Sequence, residues 1–540
     1  MSIPTHPNVH GNTIGALVAA AVLSAAAAAA PLFAQDSFPM PPADAAPAAG
    51  PGLTVTTDIH LKYAAGNYGL YAPGDYGAGF ERSGLSGGFA AGADLVMGAT
   101  EILGSLSAAD DGHYGAALAD MPGQNTLGFY FLLDEGGIRQ KLGPLSLEVG
   151  RFTFQDEVNT PYSLFVNSTG ISSTTAAFTF DTGTFYYTSR WIGLDYDSAV
   201  SSPGWNINTP GWNQNGFPDR GANIRSYGLR LGEMRMGYQD EAVYSGRYFD
   251  YEYFLDPLPA YFLQYVRGTG GVPWDTGYND NCNMGLFWTW DRPGSFSLLA
   301  QVFLDDFNLH FIFPSWPDQP WRIAGTIGGR LETKAGSFGL YAAMATKYTF
   351  EPSNGGAATN AYGCSYYPDT QYTTWWQDAH EDVTAPISIE DNEIGYKYGE
   401  NNLAVQVDWK GSLWGLNLGS ALEFRLAGAN APSDPGQGLG YMPWVGAQWL
   451  DDPVLEKRFM LFFSAAKQLG NWVLYAKAGA GVAFDALVLT SVTEPGNPDE
   501  PPYPTSFGTS TAVFIPVAGN TQYILSLTLG ATWHYHTAIK

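Results

Sequence analysis

The chain has 540 residues, of which only 14% are charged and 15% aromatic, with 65 Gly, 32 Tyr and 16 Trp. Soluble domains average about 25% charged residues, so this composition points away from an ordinary soluble domain and toward a sheet with one face in lipid. The formal net charge of −26 argues against a nucleic-acid partner, whose phosphates need a basic face.

The first element is an apolar, Ala-rich run from Ile14 to Phe33. Leu32 and Ala34 occupy the −3 and −1 positions of a signal-peptidase site, so residues 1–34 read as a signal peptide. No Lys or Arg precedes Lys62, so the usual basic n-region is missing, and a single membrane-anchor helix is the alternative. Residues 35–52 are Pro/Ala-rich without a hydrophobic period and read as a linker. Beyond the N-terminal run no stretch resembles a spanning helix, and mean hydropathy is −0.11. Only helices and closed barrels satisfy every backbone group in lipid. Residues 53–540 are therefore predicted to form one all-β domain: a single closed antiparallel transmembrane β-barrel in a bacterial outer membrane.

The strands follow. In LTVTTDIHLKY, Leu53, Val55, Thr57, Ile59, Leu61 and Tyr63 share one face, and Thr54, Thr56, Asp58, His60 and Lys62 the other, which is period two. In the first half, hairpins are expected near 126–142 with 144–154, and near 226–238; the rest does not parse. In the second half, strands are expected near 284–290, 296–304, 322–333, 338–350, 403–410, 416–426, 457–467, 472–485 and 521–536. The last alternates from Tyr523 to Tyr535, interrupted only by Ile524. Short connections (DRPGS, KAGS, GSLWG, QLGN) alternate with long ones at 305–321, 351–402, 427–456 and 486–520, the pattern of short periplasmic turns and long external loops. Extrapolated to the whole chain, the spacing gives about 18 strands (16–18). No helical domain and no internal repeat is seen.

Cys282 and Cys364 are the only cysteines. Strand parity puts both on the external side, where a disulfide between them and two unrelated thiols remain alternatives. No catalytic motif is present: there is no GxSxG, HExxH, Walker loop or CxxC, so no catalytic residue, cofactor or resident metal is expected. His60, His534 and His536 line the seam between the first and last strands; polar lumen residues are the favoured reading over metal ligands. Charges of both signs fall on inward faces: Arg230, Arg330, Glu332, Asp408, Lys410, Glu423, Arg425 and Lys477. They would make either a conducting wall or a salt-bridged plug. The external loops are rich in Trp, Tyr and acid, with Trp316, Trp321, Tyr366, Tyr367, Trp375, Trp376, Asp378, Trp444 and Trp449 as candidate ligand-binding residues. Aromatic faces stack on the C–H faces of sugars and carboxylates accept their hydroxyl protons; an interfacial belt is the alternative.

Several segments together resemble a known family: GLRLGEMRMGYQDEAVYSGR (228–247), FDYEYFLDPLPAYFLQYV (249–266), MGLFWTW (284–290), LLAQVFLDDF (298–307), WRIAGTIGG (321–329) and YKYGENNLAVQVDW (396–409). Their order is similar to that in the Wzi-type capsule-assembly family of outer-membrane barrels, over about 225–426. Glu241, Tyr244, Asp305 and Asp306 sit in the matching segments. The resemblance implies a largely occluded barrel that binds or anchors surface polysaccharide through its external loops. Unlike that family, whose members carry a helical N-terminal periplasmic bundle, the linker here runs straight into a strand. Expected partners are outer-membrane lipid, surface polysaccharide or small solutes, and the barrel-assembly machinery. A general or solute-selective diffusion porin is the alternative function, and a structural or adhesive surface protein the second.

Overall fold

The structure, a computed structural model, describes residues 52–66, 84–110, 129–168, 170, 172–195, 220–245, 247–267, 280–306, 321–347, 349–350, 394–429, 448–493 and 510–539. The signal peptide and nearly all of the linker lie outside them. In chain order the first nine strands are β1 (Gly52–Gly66), β2 (Gly84–Met97), β3 (Thr100–Ala109), β4 (Tyr130–Leu142), β5 (Leu145–Thr153), β6 (Ser172–Asp181), β7 (Phe185–Asp195), β8 (Arg220–Leu231) and β9 (Met234–Ser245). Two short helices follow, α1 (Tyr251–Leu255) and α2 (Ala260–Arg267). Then come β10 (Asn281–Arg292), β11 (Phe296–Asp306), β12 (Arg322–Thr333), β13 (Gly336–Ala345), β14 (Asn402–Leu413), β15 (Leu416–Ala427), β16 (Glu456–Leu469) and β17 (Trp472–Phe484). The chain closes with β18 (Leu487–Thr493), β19 (Ser510–Pro516) and β20 (Thr521–Ile539).

Eighteen of these strands form one antiparallel sheet, and β18 and β19 pair apart from it. The sheet closes because β20 pairs with β17 on one side and β1 on the other, in a register running from Leu53↔Ile539 to Gly66↔Ser526. Turns of two or three residues join strands at one end, and the longer connections all leave from the other. In bacterial barrels the short-turn end is periplasmic.

Period-two alternation gives the wall two faces. Leu61, Leu133, Leu286, Ile327, Val407 and Leu525 point outward, each more than a third exposed, as an apolar lipid-facing band requires. Aromatic residues mark both margins, with Tyr63 and Tyr523 toward the long-connection end and Trp414 and Trp472 at the short turns. Ile524, which broke the sequence pattern, is a lumen residue, buried against Met460, Phe462 and Ala486.

One stretch of wall inverts this polarity. On β7–β10 the outward positions include Ser189, Trp191, Asn223, Arg225, Asp240 and Cys282, while Ile192, Ala222, Ile224 and Val243 point into the lumen and are buried there. The outward set is covered by α1 and α2, which fold back from β9 over the outer wall. Asp250 caps α1, accepting from the Glu252 and Tyr253 N–H groups. Tyr253 and Ala260 pack on Ala242, Tyr244 and Cys282. Beneath the helices Arg225 pairs with Asp240 at 2.9 Å, both side chains fully buried. The sequence reading missed these helices because each is only about two turns or fewer and is split by two prolines, in an aromatic run with no long helical period.

Removing one member of a fully buried pair strands the other, at a cost of about 3–5 kcal/mol. Asp240→Ala is expected to lower unfolding stability in lipid vesicles by that amount, as read from urea titration. Lys457→Ala, which breaks the rim pair Lys457–Asp485 (49% and 24% exposed), is expected to cost less than about 1 kcal/mol.

Candidate functional site

The lumen is filled on one side and accessible on the other. The filling comes from two segments with apolar residues where surface connections are usually polar. The first, Phe154–Ser168, leaves the top of β5 and turns inward. Tyr162, Leu164 and Phe165 are fully buried there, against Phe303, Phe350, Tyr396 and Tyr398. The second, Ile394–Asn401, runs into β14 and meets the first through a bridge between Val166 and Ile394 and a Gly395 N–H to Phe165 O bond of 3.0 Å.

Two carboxylates fix the first segment to the wall. Asp156 accepts from the Phe165 and Val166 N–H groups at 2.9 and 3.2 Å with one oxygen. Its other oxygen accepts from Gln239 on β9 and Gln301 on β11 at 3.0 and 2.9 Å. Gln301 returns a bond, accepting the Leu164 N–H at 3.0 Å. On the far side, Glu423 of β15 accepts from the Tyr162 hydroxyl at 2.5 Å and the Tyr398 hydroxyl at 2.7 Å. Lys397 lies 3.8 Å from Glu423 and sits over both tyrosine rings. Arg425 stacks over Tyr398 and pairs with Glu456, itself fully buried. Both segments are thus tied to one buried carboxylate by charge-assisted bonds, which are roughly twice as strong as neutral ones.

The lumen faces of β17, β20 and β1–β4 differ. Asp58, Lys62, Asp94, Ser105 and Ser107 are only part-buried, as are Ser526, Thr528 and Thr532, and Lys477 is exposed. Many lumen positions between them are small, such as Gly88, Ala90 and Gly92 on β2 and Gly479 and Gly481 on β17. At the seam, His534 Nδ1 is 2.7 Å from Asp58, while His60 and His536 stand opposite Thr532 and Thr56.

Among the described residues, five arginines of the middle and short-turn part of the lumen each lie over an aromatic ring and beside a carboxylate. Arg139 lies over Phe152, Arg190 over Phe154, Arg230 over Tyr186, Arg235 over Phe287 and Arg330 over Tyr341. Arg139 and Arg190 share Glu148 at 2.8 and 2.7 Å, Arg230 meets Asp181 at 2.7 Å, Arg235 meets Glu157 at 3.0 Å and Arg330 meets Asp408 at 2.7 Å. A cavity of about 450 Å³ opens beside the first two, lined by Glu101, Arg139, Lys141, Ser146, Glu148 and Arg190 with others.

Of the inward charges expected from sequence, Asp408, Glu423 and Arg425 are buried, Arg330 is paired with Asp408, and Glu332 accepts from Ser337 at 2.6 Å. Arg230 stands at the short-turn mouth, Lys410 is half-buried on β14, and Lys477 faces the accessible lumen. Of the aromatic candidates, Trp321 and Trp449 lie at the long-connection rim, Trp449 donating to Asn402 O at 3.0 Å. Trp316, Tyr366, Tyr367, Trp375, Trp376, Asp378 and Trp444 lie outside the described residues. So does Cys364, and with it the disulfide. Cys282 is buried, its sulfur 3.6 Å from the Tyr253 hydroxyl. Glu241 and Tyr244, from one resembling segment, point to opposite sides: Glu241 inward, Tyr244 outward, stacked on Tyr253. Asp305 accepts from the Phe350 N–H at 2.9 Å. Sequence reasoning missed the Phe154–Ser168 filler. Its signal was the apolar cluster Val158, Tyr162, Leu164, Phe165 and Val166 inside a connection.

A closed sheet with a lipid-facing band, aromatic margins and a partly filled polar lumen defines an outer-membrane transmembrane β-barrel. No family model matches the chain, and no curated protein matches it in sequence. Similar solved structures include OccD3 (OpdP) of Pseudomonas aeruginosa, 12% identical over 90% of this chain and 92% of that one, with a TM-score of 0.42. They also include Wzi of Escherichia coli, a carbohydrate-binding β-barrel involved in group 1 capsule assembly, 9% identical over 88% of this chain and 83% of that one, with a TM-score of 0.44. OccAB2 of Acinetobacter baumannii is 10% identical over 90% and 98%, TM-score 0.41.

Glu423→Ala removes the shared acceptor and leaves Lys397 without it. Amide exchange in 160–168 and 394–400 is expected to accelerate at least tenfold, corresponding to about 1.4 kcal/mol or more of lost local stability. Amides of the β1–β20 seam should keep their protection. Unchanged exchange in both segments would show that the carboxylate does not hold them.

Proposed function

We propose that the barrel is a solute-selective diffusion channel whose passage runs along the wall of β17, β20 and β1–β4. The observation that carries this is the burial contrast across the lumen. The two inward segments fill the β6–β16 side, and the opposite wall keeps small, polar and ionisable side chains accessible. An inward segment that narrows a wide barrel without lining the whole lumen sets a size limit. The balanced ion pairs supply donors and acceptors for a polar solute. Paired in this way, Arg139, Arg190 and Glu148 favour small polar solutes over strongly charged polymers.

A second reading, retention of surface polysaccharide at the long-connection rim, is supported by Trp449. This residue is 37% exposed, and its indole N–H is engaged by Asn402 O, which orients the ring at the rim. Binding of surface glycans by the purified protein, weakened by Trp449→Ala, would favour that reading.

The channel reading is tested in planar bilayers. Discrete ohmic steps are expected, and an electrically silent protein overturns it. Lys477→Glu changes a lumen charge by two units, which at about 10 Å in water-like dielectric is worth roughly 0.8 kcal/mol. Reversal potentials in a KCl gradient should shift toward cations by a few-fold in permeability ratio.

A further inference from the structure

The helices on the outer wall sit at membrane depth. Arg225 lies six residues from the short-turn end of β8 (Leu231), and Asp240 six from that of β9 (Met234). At the same count on other strands, the outward residues are Leu286 of β10, Ile327 of β12, Val407 of β14 and Phe463 of β16. These are 62%, 63%, 46% and 47% exposed and belong to the lipid-facing band. Six residues of a tilted strand rise roughly 15 Å, which is within an apolar band about 25 Å tall. The Arg225–Asp240 pair therefore stands where the rest of the barrel meets hydrocarbon.

The turn between α1 and α2 comes down onto that pair. Its carbonyls are met one after another by the wall. Arg225 donates to Asp256 O at 2.9 Å and Leu258 O at 2.6 Å, and the Tyr227 hydroxyl donates to Pro257 O at 2.8 Å. The Ala260 N–H donates to Asp240 at 2.8 Å. Irregular backbone persists at membrane depth only where protein satisfies its polar groups, and these bonds provide that. The face turned away from the barrel is apolar and exposed: Leu255, Leu258, Phe262 and Val266, with Tyr261 and Tyr265. It continues the band formed by Leu229 and Leu286 on the strands beside it.

We propose that α1 and α2 form a lipid-embedded clip on the barrel's outer wall, with its outward face seated among the acyl chains of the outer leaflet. The clip replaces an interrupted stretch of lipid-facing strand. The buried ion pair anchors it, and Leu258 and Phe262 take over contact with hydrocarbon.

The test uses the full chain in phosphatidylcholine vesicles, with Cys364→Ser to remove the second thiol. Nitroxide labels are placed at Leu258→Cys and, as a second variant, Phe262→Cys. Leu286→Cys on the lipid-facing wall and Trp414→Cys at a short turn serve as references. Collision with oxygen is expected to exceed collision with nickel-EDDA at 258 and 262, as at 286 and in contrast to 414. Nickel collision at the level of 414 would place the clip in water and overturn the proposal. So would low collision with both reagents together with broadening from a nearby label, which would mark contact with a second copy.

Discussion

Closure of the sheet is the constraint on which everything else rests. In hydrocarbon no backbone group can turn to water, so an open edge is untenable, and the first and last strands must find each other. The long β1–β20 register meets that demand with 14 paired positions. Once the wall is closed, period two assigns every side chain to lipid or lumen. Any segment entering the interior must bring its own polar satisfaction.

That requirement explains the two hydrogen-bond hubs. Phe154–Ser168 cannot pair with a neighbouring strand, so Asp156 and Gln301 serve its amides, and Glu423 fastens it across the lumen. The same logic operates outside the wall, where Arg225 and Tyr227 serve the carbonyls of the α1–α2 turn. Inside and outside, a few wall residues with strong donors or acceptors hold irregular backbone in place. The regular strands need no such help.

How far the sequence revealed this depended on which neighbours each strand acquired. The second-half strands alternate cleanly because one face meets lipid and the other a polar lumen, so β12, β15, β17 and β20 were legible within a few residues. β2 was hidden because its sequence, GLSGGFAAGADLVM, has too little contrast between small residues on either face. β8 and β9 were legible only around their shared turn, near 226–238, and their upper halves were obscured for a different reason. Their outward face carries Arg225 and Asp240 under a helical cover, and their inward face carries Ile224 and Val243 against the lumen filler, so the expected polarity is reversed. No local pattern reports a partner supplied from elsewhere in the chain. The lumen-facing charges followed from alternation alone, but their mutual pairing across strands did not. Arg330 and Asp408 are 78 residues apart and meet only in the folded wall.

The two fastenings also differ in how far apart along the chain their partners lie. The Arg225–Asp240 pair joins residues 15 apart, and the helices over it belong to the same stretch of chain. The Tyr162–Glu423 bond joins residues 261 apart. The entropy of closing a loop grows with its length, and contacts between distant residues slow folding. The outer cover thus closes through short loops of chain. The lumen filler is tied to β9 and β11 through Asp156, and its tie across the lumen needs β15 as well. The outer cover is therefore held by contacts local in the chain, and the lumen filler by a tie to a strand far along it.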